Sequence, residues 1–457
     1  MSTPKPHNDL PTLADKLDWT EELKRLSQRI QDCHTPHVLG VHGDWGSGKT
    51  SFMRQLQRKL GGEMPNDASV VDFNANGSPV KPEQYQPTPE EKQRQKEIIT
   101  IWFDAWRYQN EVVPVVALLH EMRRQMATMS VLKEKFGKTM EIALRYTLNS
   151  LADIGKSIGI EGLPSADKVE KLGNDWEAKH HAQTSTSDSL RSHLHVTIQA
   201  LLPSEDARVV VFIDDLDRCN PKAAIRLLEG LKIYLNIPNC VFVLGMNERI
   251  LVDAIREEIS APKEIAPEEL KLRAAHYLEK ICTDIYRLPL PKDAGILLGQ
   301  WIENTEQRNA LTAALGKTIC LPPNPRRLKA LANQWDRFAD CVAFPASQSD
   351  QEIWAVHVLI AAYIHQFHRD LWERWYFTPD FIREVKIWCD TVTSSLPPPA
   401  WSSALKLTQK QKESNGPWQT NFPNPGDIDI FWLDDLIRRY RDNLLPEDFI
   451  PLLQGKS

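Results

Sequence analysis

The chain lacks the patterns of a secreted, disulfide-stapled or membrane-embedded protein. Its seven cysteines are scattered, with no C-x-x-C pair and no Cys/His finger spacing. Free thiols in a reducing compartment are expected, rather than a disulfide framework or a zinc site. The opening residues MSTPKPHNDLPTLADK carry no basic stretch followed by an apolar one, so no secretory leader is expected. The most apolar run, Ile353 to Ile364, is too short to cross a bilayer and contains His357; it reads as a buried core helix. Basic charge is not in excess either. With 55 Lys and Arg against 61 Asp and Glu, the net charge is −6, which argues against a dominant nucleic-acid surface. No internal repeat is found. The remainder is ordinary globular composition, 42% hydrophobic and 25% charged over 457 residues, with room for two or three domains. A cytoplasmic location is expected.

Periodicity orders the chain. Asp18 to Ile30 reads as a helix with Trp19, Leu23, Leu26 and Ile30 on one face, and Asp18 and Glu21 have capping-box spacing. His37–His42 is a short apolar strand, and Thr50 to Leu60 a helix stopped by Gly61 and Gly62. Met64 to Glu97 reads as a long mobile loop. Ile98–Asp104 is a second strand, and Val112 to Met129 a helix. Thr139 to Ala182 is a polar helical insertion, and Asp188 to Leu202 a further helix capped by Asp188. Arg208 to Ile213 and Cys240 to Leu244 are the third and fourth strands. Ile285 to Leu290 is a fifth, weakened at its end by Pro289. Strands alternating with helices predict a parallel sheet covered on both faces. The expected division is a helical lead-in at 1–30, a core at 31–291, a helical domain at 292–393, and a linker with a terminal helical segment at 394–457. The core is expected to carry the loop at 61–97 and the insertion at 130–205. The linker is centred on the Pro-, Ser- and Gln-rich stretch Ser394 to Asp427.

The strongest chemical signal is Gly43-Asp44-Trp45-Gly46-Ser47-Gly48-Lys49-Thr50, which fits G-x-x-x-x-G-K-[ST] between an apolar strand and a helix. Glycines let a backbone wrap closely around phosphate, and the helix N-terminus favours anions. The motif with Ser51 is therefore expected to hold a nucleotide. Lys49 is expected at the β- and γ-phosphates, and the Thr50 hydroxyl on Mg²⁺. The second signal is Val209 to Asp215, an apolar strand ending in two carboxylates. Asp214 is expected to hold Mg²⁺ and Asp215 to polarise the attacking water as general base. Asp217 is placed to share the base role, and Arg218 to be structural. Other signals leave two readings open. Asn247, just past the fourth strand, suits a residue that positions water near the γ-phosphate, or a plain strand-end turn. Asn324-Pro325-Arg326-Arg327 reads as a helix start whose arginines oppose the helix dipole. Either an anionic ligand relieves that conflict or the turn is simply solvated. His365 and His368, like His193 and His195, fit packing or surface roles better than metal binding.

Four stretches together resemble the KAP family of P-loop NTPases. They are GDWGSGKTSFM around Trp45, Trp102-Phe103-Asp104-Ala105-Trp106-Arg107-Tyr108, Asp214-Asp215-Leu216-Asp217-Arg218-Cys219, and the pair Tyr277-Leu278-Glu279-Lys280-Ile281 and Asn324-Pro325-Arg326-Arg327. The family usually has Asn where Asp104 stands. The resemblance covers about residues 10 to 335 and leaves the last third unmatched. It implies an α/β P-loop NTPase core with a mainly α-helical C-terminal region, ATP as the nucleotide, and hydrolysis that drives assembly of complexes, often at membranes. Some bacterial members exclude phage. Many carry transmembrane helices between the two nucleotide motifs. Here neither Met64 to Glu97 nor Thr139 to Ala182 is apolar enough to span a bilayer, so only peripheral membrane association stays open.

The expectation is thus an ATP- and Mg²⁺-dependent switch or motor acting on protein partners, with homo-oligomerisation open and nucleic acid not indicated. A P-loop kinase of a small molecule and a slowly hydrolysing scaffold are the alternatives. Tandem Asp214-Asp215 favours water activation over the kinase. A DNA-dependent ATPase is a variant that DNA stimulation and steep salt dependence would reveal.

Overall fold

The computed structural model describes residues 8–62, 72–73, 79–80, 89–94, 97–111, 117–118, 121–122, 124–125, 198, 202, 204, 206–234, 238–258, 267–316, 321–383, 385–386 and 433–455. The expected insertion at Thr139 to Ala182 and the linker at Ser394 to Asp427 lie outside them, as do most of the helices expected at Val112 to Met129 and Asp188 to Leu202. The chain forms two compact units, one of residues Leu10–Leu288 and one of Met1–Asp9 with Pro289–Ser457.

The first unit is built on a five-stranded sheet. Its strands are β1 (His37–His42), β4 (Ile98–Asp104), β5 (Arg208–Asp214), β6 (Cys240–Met246) and β7 (Asp284–Arg287), in the spatial order β4-β5-β6-β1-β7. Every pairing is parallel. Apolar residues fill nearly every position of β5 and β6, as a strand buried on both faces requires. Successive side chains go to opposite faces. Ile99, Ile101, Phe103, Val209, Val211 and Phe242 join a core with α4 (Pro221–Tyr234), α5 (Glu248–Glu258) and α6 (Pro267–Ile281). Leu39, Val41, Trp102, Val210, Phe212 and Val243 join the opposite core, with α1 (Thr20–Asp32) and α2 (Lys49–Lys59). This is the α/β P-loop fold.

Four boundaries differ from the sequence reading. β5 and β6 run on to Asp214 and Met246, because Asp214 is held in register with Asp104 of β4 and Met246 with His42 of β1. β7 stops at Arg287, since it pairs only with β1 and Pro289 offers no N–H to a ladder. Asp18 does not cap α1: its backbone is left-handed at φ 58°. Trp19 stands at the N-cap with no side-chain cap, and Asp15 braces the approach to the helix, accepting from Leu17 N, Trp19 N (2.9 Å) and the Thr20 hydroxyl. Within the stretch expected to be one long loop lie an antiparallel ribbon, β2 (Asp72–Phe73) with β3 (Pro79–Val80), and the short helix α3 (Pro89–Arg94).

The second unit is helical in its described residues: α7 (Ala294–Gly299), α8 (Thr305–Leu315), α9 (Pro325–Ala339), α10 (Gln348–Phe367), α11 (Arg369–Phe377), α12 (Asp434–Arg439) and α13 (Pro446–Gln454). The apolar run Ile353 to Ile364 is the buried centre of α10, with Trp354 to Ile364 almost wholly enclosed. Trp335 of α9 meets Trp354 edge-on at 5.6 Å. His357 shares its Nε2 with the Asn443 carbonyl at 2.7 Å, and His365 packs edge-on against Trp372. Among the described residues, no helix is long and apolar enough to cross a membrane.

Candidate nucleotide site

The glycine-rich turn joins β1 to α2 at the carboxyl edge of the sheet. Gly46 and Gly48 have φ of 82° and 93°, a region closed to most L-residues. A Cβ on Gly48 would also stand 2.8 Å from the Trp19 ring. Trp19 is buried beneath the turn and meets Phe52 of α2 edge-on at 5.2 Å. The N-terminal arm is bonded to the same helix: Thr12 N donates to the Ser51 hydroxyl, and the Gln55 amide donates to the Thr12 and Ala14 carbonyls. Gly43 N donates to the Met246 carbonyl and Ser47 N to that of Asp44. Asp44, Gly46, Ser47 and Thr50 are therefore held in one turn at a helix start, where the first amides have no intrahelical partner and the dipole favours an anion. Trp45, at the tip, is 66% exposed.

Lys49 runs back across this turn. Its ammonium donates to the Gly43 carbonyl at 2.7 Å and lies 3.4 Å from the Asp44 carbonyl and 3.2 Å from Asp217 Oδ2. Both partners of the ion pair are buried, with side chains 8% and 4% exposed.

β5 delivers the carboxylates. Asp214 is enclosed, and burial pushes its carboxyl up, opposed by a hydrogen bond from the Thr50 hydroxyl and by Asp215's backbone N–H. Its Oδ1 has no hydrogen-bond partner. An orphaned carboxylate oxygen beside a threonine hydroxyl is a fitting donor pair for a hard divalent cation that keeps most of its waters. Gly245 makes room for it: a Cβ there would stand 2.8 Å from Asp214 Oδ1 and 2.6 Å from Met53 Sδ. The sequence reading passed over Gly245, although a glycine inside a strand is itself a sign of close approach.

Asp215 begins a tight turn. Its backbone is left-handed, φ 56° and ψ 30°, and leads into one 3₁₀ turn at Leu216–Arg218. Burial first, and then the Asp214 carboxylate, push Asp215 up to about 7, against the opposing pull of Arg218. Arg218 Nε lies 2.9 Å from Asp215 Oδ1, and its guanidinium stands 6.0 Å from the Trp106 ring. Asp104, at the end of β4, is in register with Asp214 and accepts from Arg107 N.

The remaining expected residues are placed as follows. Asn247 is buried, its amide donates to Asp44 Oδ1 at 3.1 Å, and its Oδ1 accepts from Arg249 N at 3.0 Å and Ile250 N at 3.4 Å. It thus caps α5 and ties that helix to the glycine-rich turn. Arg326 and Arg327 belong to the helical unit. Asn324 caps α9 through Arg327 N, with Pro325 in the first turn. Arg326 Nε lies 2.7 Å from Asp9 Oδ2, an ion pair without the alignment of a hydrogen bond. The Arg327 guanidinium stacks over Phe367 at 4.2 Å.

Over 259 residues the chain is 21% identical to the phage T7 exclusion protein of Escherichia coli strain K12, covering 56% of this chain and 30% of that protein. The chain thus spans about a third of that relative's length. Among solved structures, a Walker-type ATPase of Pyrococcus abyssi matches with TM-score 0.35 and 12% identity over 93% of this chain and 99% of the other. The Orc1 protein of Aeropyrum pernix, solved in complex with DNA, matches with TM-score 0.33 and 11% identity over 97% of this chain and 85% of its own. The model of the KAP family P-loop domain matches residues 20–334, more than half of the chain, and the protein is a member of the KAP family of P-loop NTPases.

Proposed function

We propose that the chain binds ATP with Mg²⁺ and hydrolyses it, and that turnover drives assembly or remodelling of a protein complex. The observation that carries the reading is the meeting of Lys49, at the glycine-rich turn, with Asp217 on the short turn that follows Asp214 and Asp215 at the end of β5. In this reading the phosphates lie against the turn from Gly43 to Ser51, with Lys49 at the β- and γ-oxygens. Thr50 and Asp214 hold Mg²⁺, which when bound neutralises charge on those oxygens. Asp215 takes the proton of the attacking water. Its carboxyl, pushed up to about 7, is near the value a base needs at neutral pH. Asp217 is the second candidate for that proton, and Asn247 the candidate for orienting the water, through the turn it holds at Asp44. Arg326 is assigned to the γ-phosphate, from its own chain or a neighbouring copy.

The reading includes cytoplasmic protein partners, with peripheral membrane association and a homo-oligomer both compatible with it. It also includes a part in excluding phage. The support is the printed name of the E. coli relative, which is that protein's own activity. Phosphate release from ATP without any acceptor tests the core of the proposal. It separates an NTPase from a small-molecule kinase and from a scaffold that barely turns over. No release above background, with ATP bound, would leave one of those two. Plaque counts on a host carrying the wild-type gene or Lys49→Ala test the phage role, which fails if both hosts are equally infected.

A further inference from the structure

Lys49 has three donors, and all three face protein oxygens: the Gly43 and Asp44 carbonyls and Asp217 Oδ2. A polyphosphate that takes Lys49 must displace at least one of them. The two carbonyls belong to the glycine-rich turn, which is tied down where Gly43 N donates to the Met246 carbonyl and Ser47 N to that of Asp44. Asp217 is different in kind. It is an anion, it sits on a separate short turn, and it would be enclosed beside the incoming phosphate charge. It is therefore the partner that gives way.

We propose that Asp217 is a positioning residue that holds the phosphate's place on Lys49, and that its displacement by polyphosphate opens the turn which presents Asp215. The turn is anchored by Leu216, which is fully buried, and closed by Arg218 N and Cys219 N donating to the Asp215 and Leu216 carbonyls. It is entered through the left-handed backbone of Asp215. Arg218, one residue beyond Asp217, carries the ion pair to the Asp215 carboxylate. Moving Asp217 off Lys49 therefore also moves the guanidinium that occupies Asp215. The base stays engaged by Arg218 until phosphate arrives, so the machinery is assembled by its own substrate. The inference rests on the proposed nucleotide site and gives Asp217 a role distinct from that of a second base.

Calorimetry of the full chain with Mg²⁺-free ATP, on wild type and on Asp217→Asn, tests it. Removing the competing charge should tighten ATP about 5- to 150-fold, the ordinary span of such coupling. Adenosine, which has no phosphate to compete, should bind both proteins alike. Asp217→Asn should also melt at lower temperature without nucleotide, because a buried ammonium loses its counter-ion, and recover most of the loss at saturating ATP. A second base would instead lose turnover with no gain in affinity. Equal or weaker ATP binding by Asp217→Asn, or an equal gain for adenosine, overturns the proposal and leaves the nucleotide site standing. Failure of wild type to bind ATP overturns both. Should Asp217→Asn not fold, hydrogen exchange on wild type decides: exchange at the Arg218 and Cys219 amides should rise when ATP binds, and unchanged or slower exchange overturns the proposal.

Discussion

At the scale of single residues, the site divides into groups with separable effects. Lys49→Ala should remove most ATP affinity and leave the fold intact, because its partners are turn carbonyls and one carboxylate, not core side chains. Calorimetry on a folded variant that binds ATP as before would refute the assignment. Asp215→Asn should bind Mg·ATP but hydrolyse it ~10²–10⁴-fold more slowly, the usual worth of a positioned base. Asp214→Asn should instead weaken binding and Mg²⁺ dependence together. Normal turnover in Asp215→Asn with none in Asp217→Asn would move the base to Asp217. Gly245→Ala probes the space around Asp214. The added methyl meets Asp214 Oδ1 and Met53, so the Mg²⁺ requirement should rise while Mg²⁺-free ATP binding is kept. The nucleotide motifs were legible because their residue types and spacing are dictated by phosphate and metal. Gly245 and Trp19 were not, because their roles depend on which strand and which helix lie across from them. Asn247 shows the same limit. Its place after a strand was readable, its bond to Asp44 was not.

At the scale of elements, boundaries followed pairing more than composition. β5 and β6 read as shorter strands because Asp214, Gly245 and Met246 do not resemble strand interior. One neighbour on each side holds them in the sheet nonetheless. The α1 cap failed for a local reason: the left-handed backbone at Asp18 turns it away, and Trp19 stands at the N-cap with its N–H bonded to Asp15. α9 shows what an element's surroundings do to a charge. Asp336 sits beside Glu303 and Asp340, and burial first, then those charges, push it up to about 6. The folded unit therefore binds this proton more tightly than the unfolded chain does. The penalty is absent below about pH 4, grows as pH rises to about 6, and is complete above that. Asp336→Asn should raise stability at pH 8 by about 1 kcal/mol, the shift being discounted for solvent screening, and change it little at pH 4. Denaturant melts at the two pH values measure this. An equal gain at both would attribute the effect to packing instead of titration.

At the scale of the whole molecule, the order β4-β5-β6-β1-β7 brings motifs more than 160 residues apart to one edge. Alternating strand and helix patterns implied a parallel sheet, while the order of its strands came only with the structure. Arg326 poses the remaining question at this scale, since it lies in the helical unit and the glycine-rich turn in the other. Two cations in the first turn of α9 oppose its dipole and cost a few tenths of a kcal/mol each. Asp9 offsets part of that for Arg326, and the Phe367 face part of it for Arg327. These contacts give a structural role its own signature: Arg326→Ala and Asp9→Ala should then lower the melting temperature alike and spare turnover. The γ-phosphate reading has another. An arginine aimed at the transferring phosphate contributes ~10³–10⁵ in rate. Arg326→Ala, or failing that Arg327→Ala, should keep ATP binding and lose most turnover, while Asp9→Ala keeps both. If the arginine acts on a neighbouring copy, mixing Arg326→Ala with Asp215→Asn restores activity, because some mixed pairs join an intact arginine to an intact base. Wild-type turnover in Arg326→Ala, Arg327→Ala and the double variant would reduce this segment to an ordinary basic helix start.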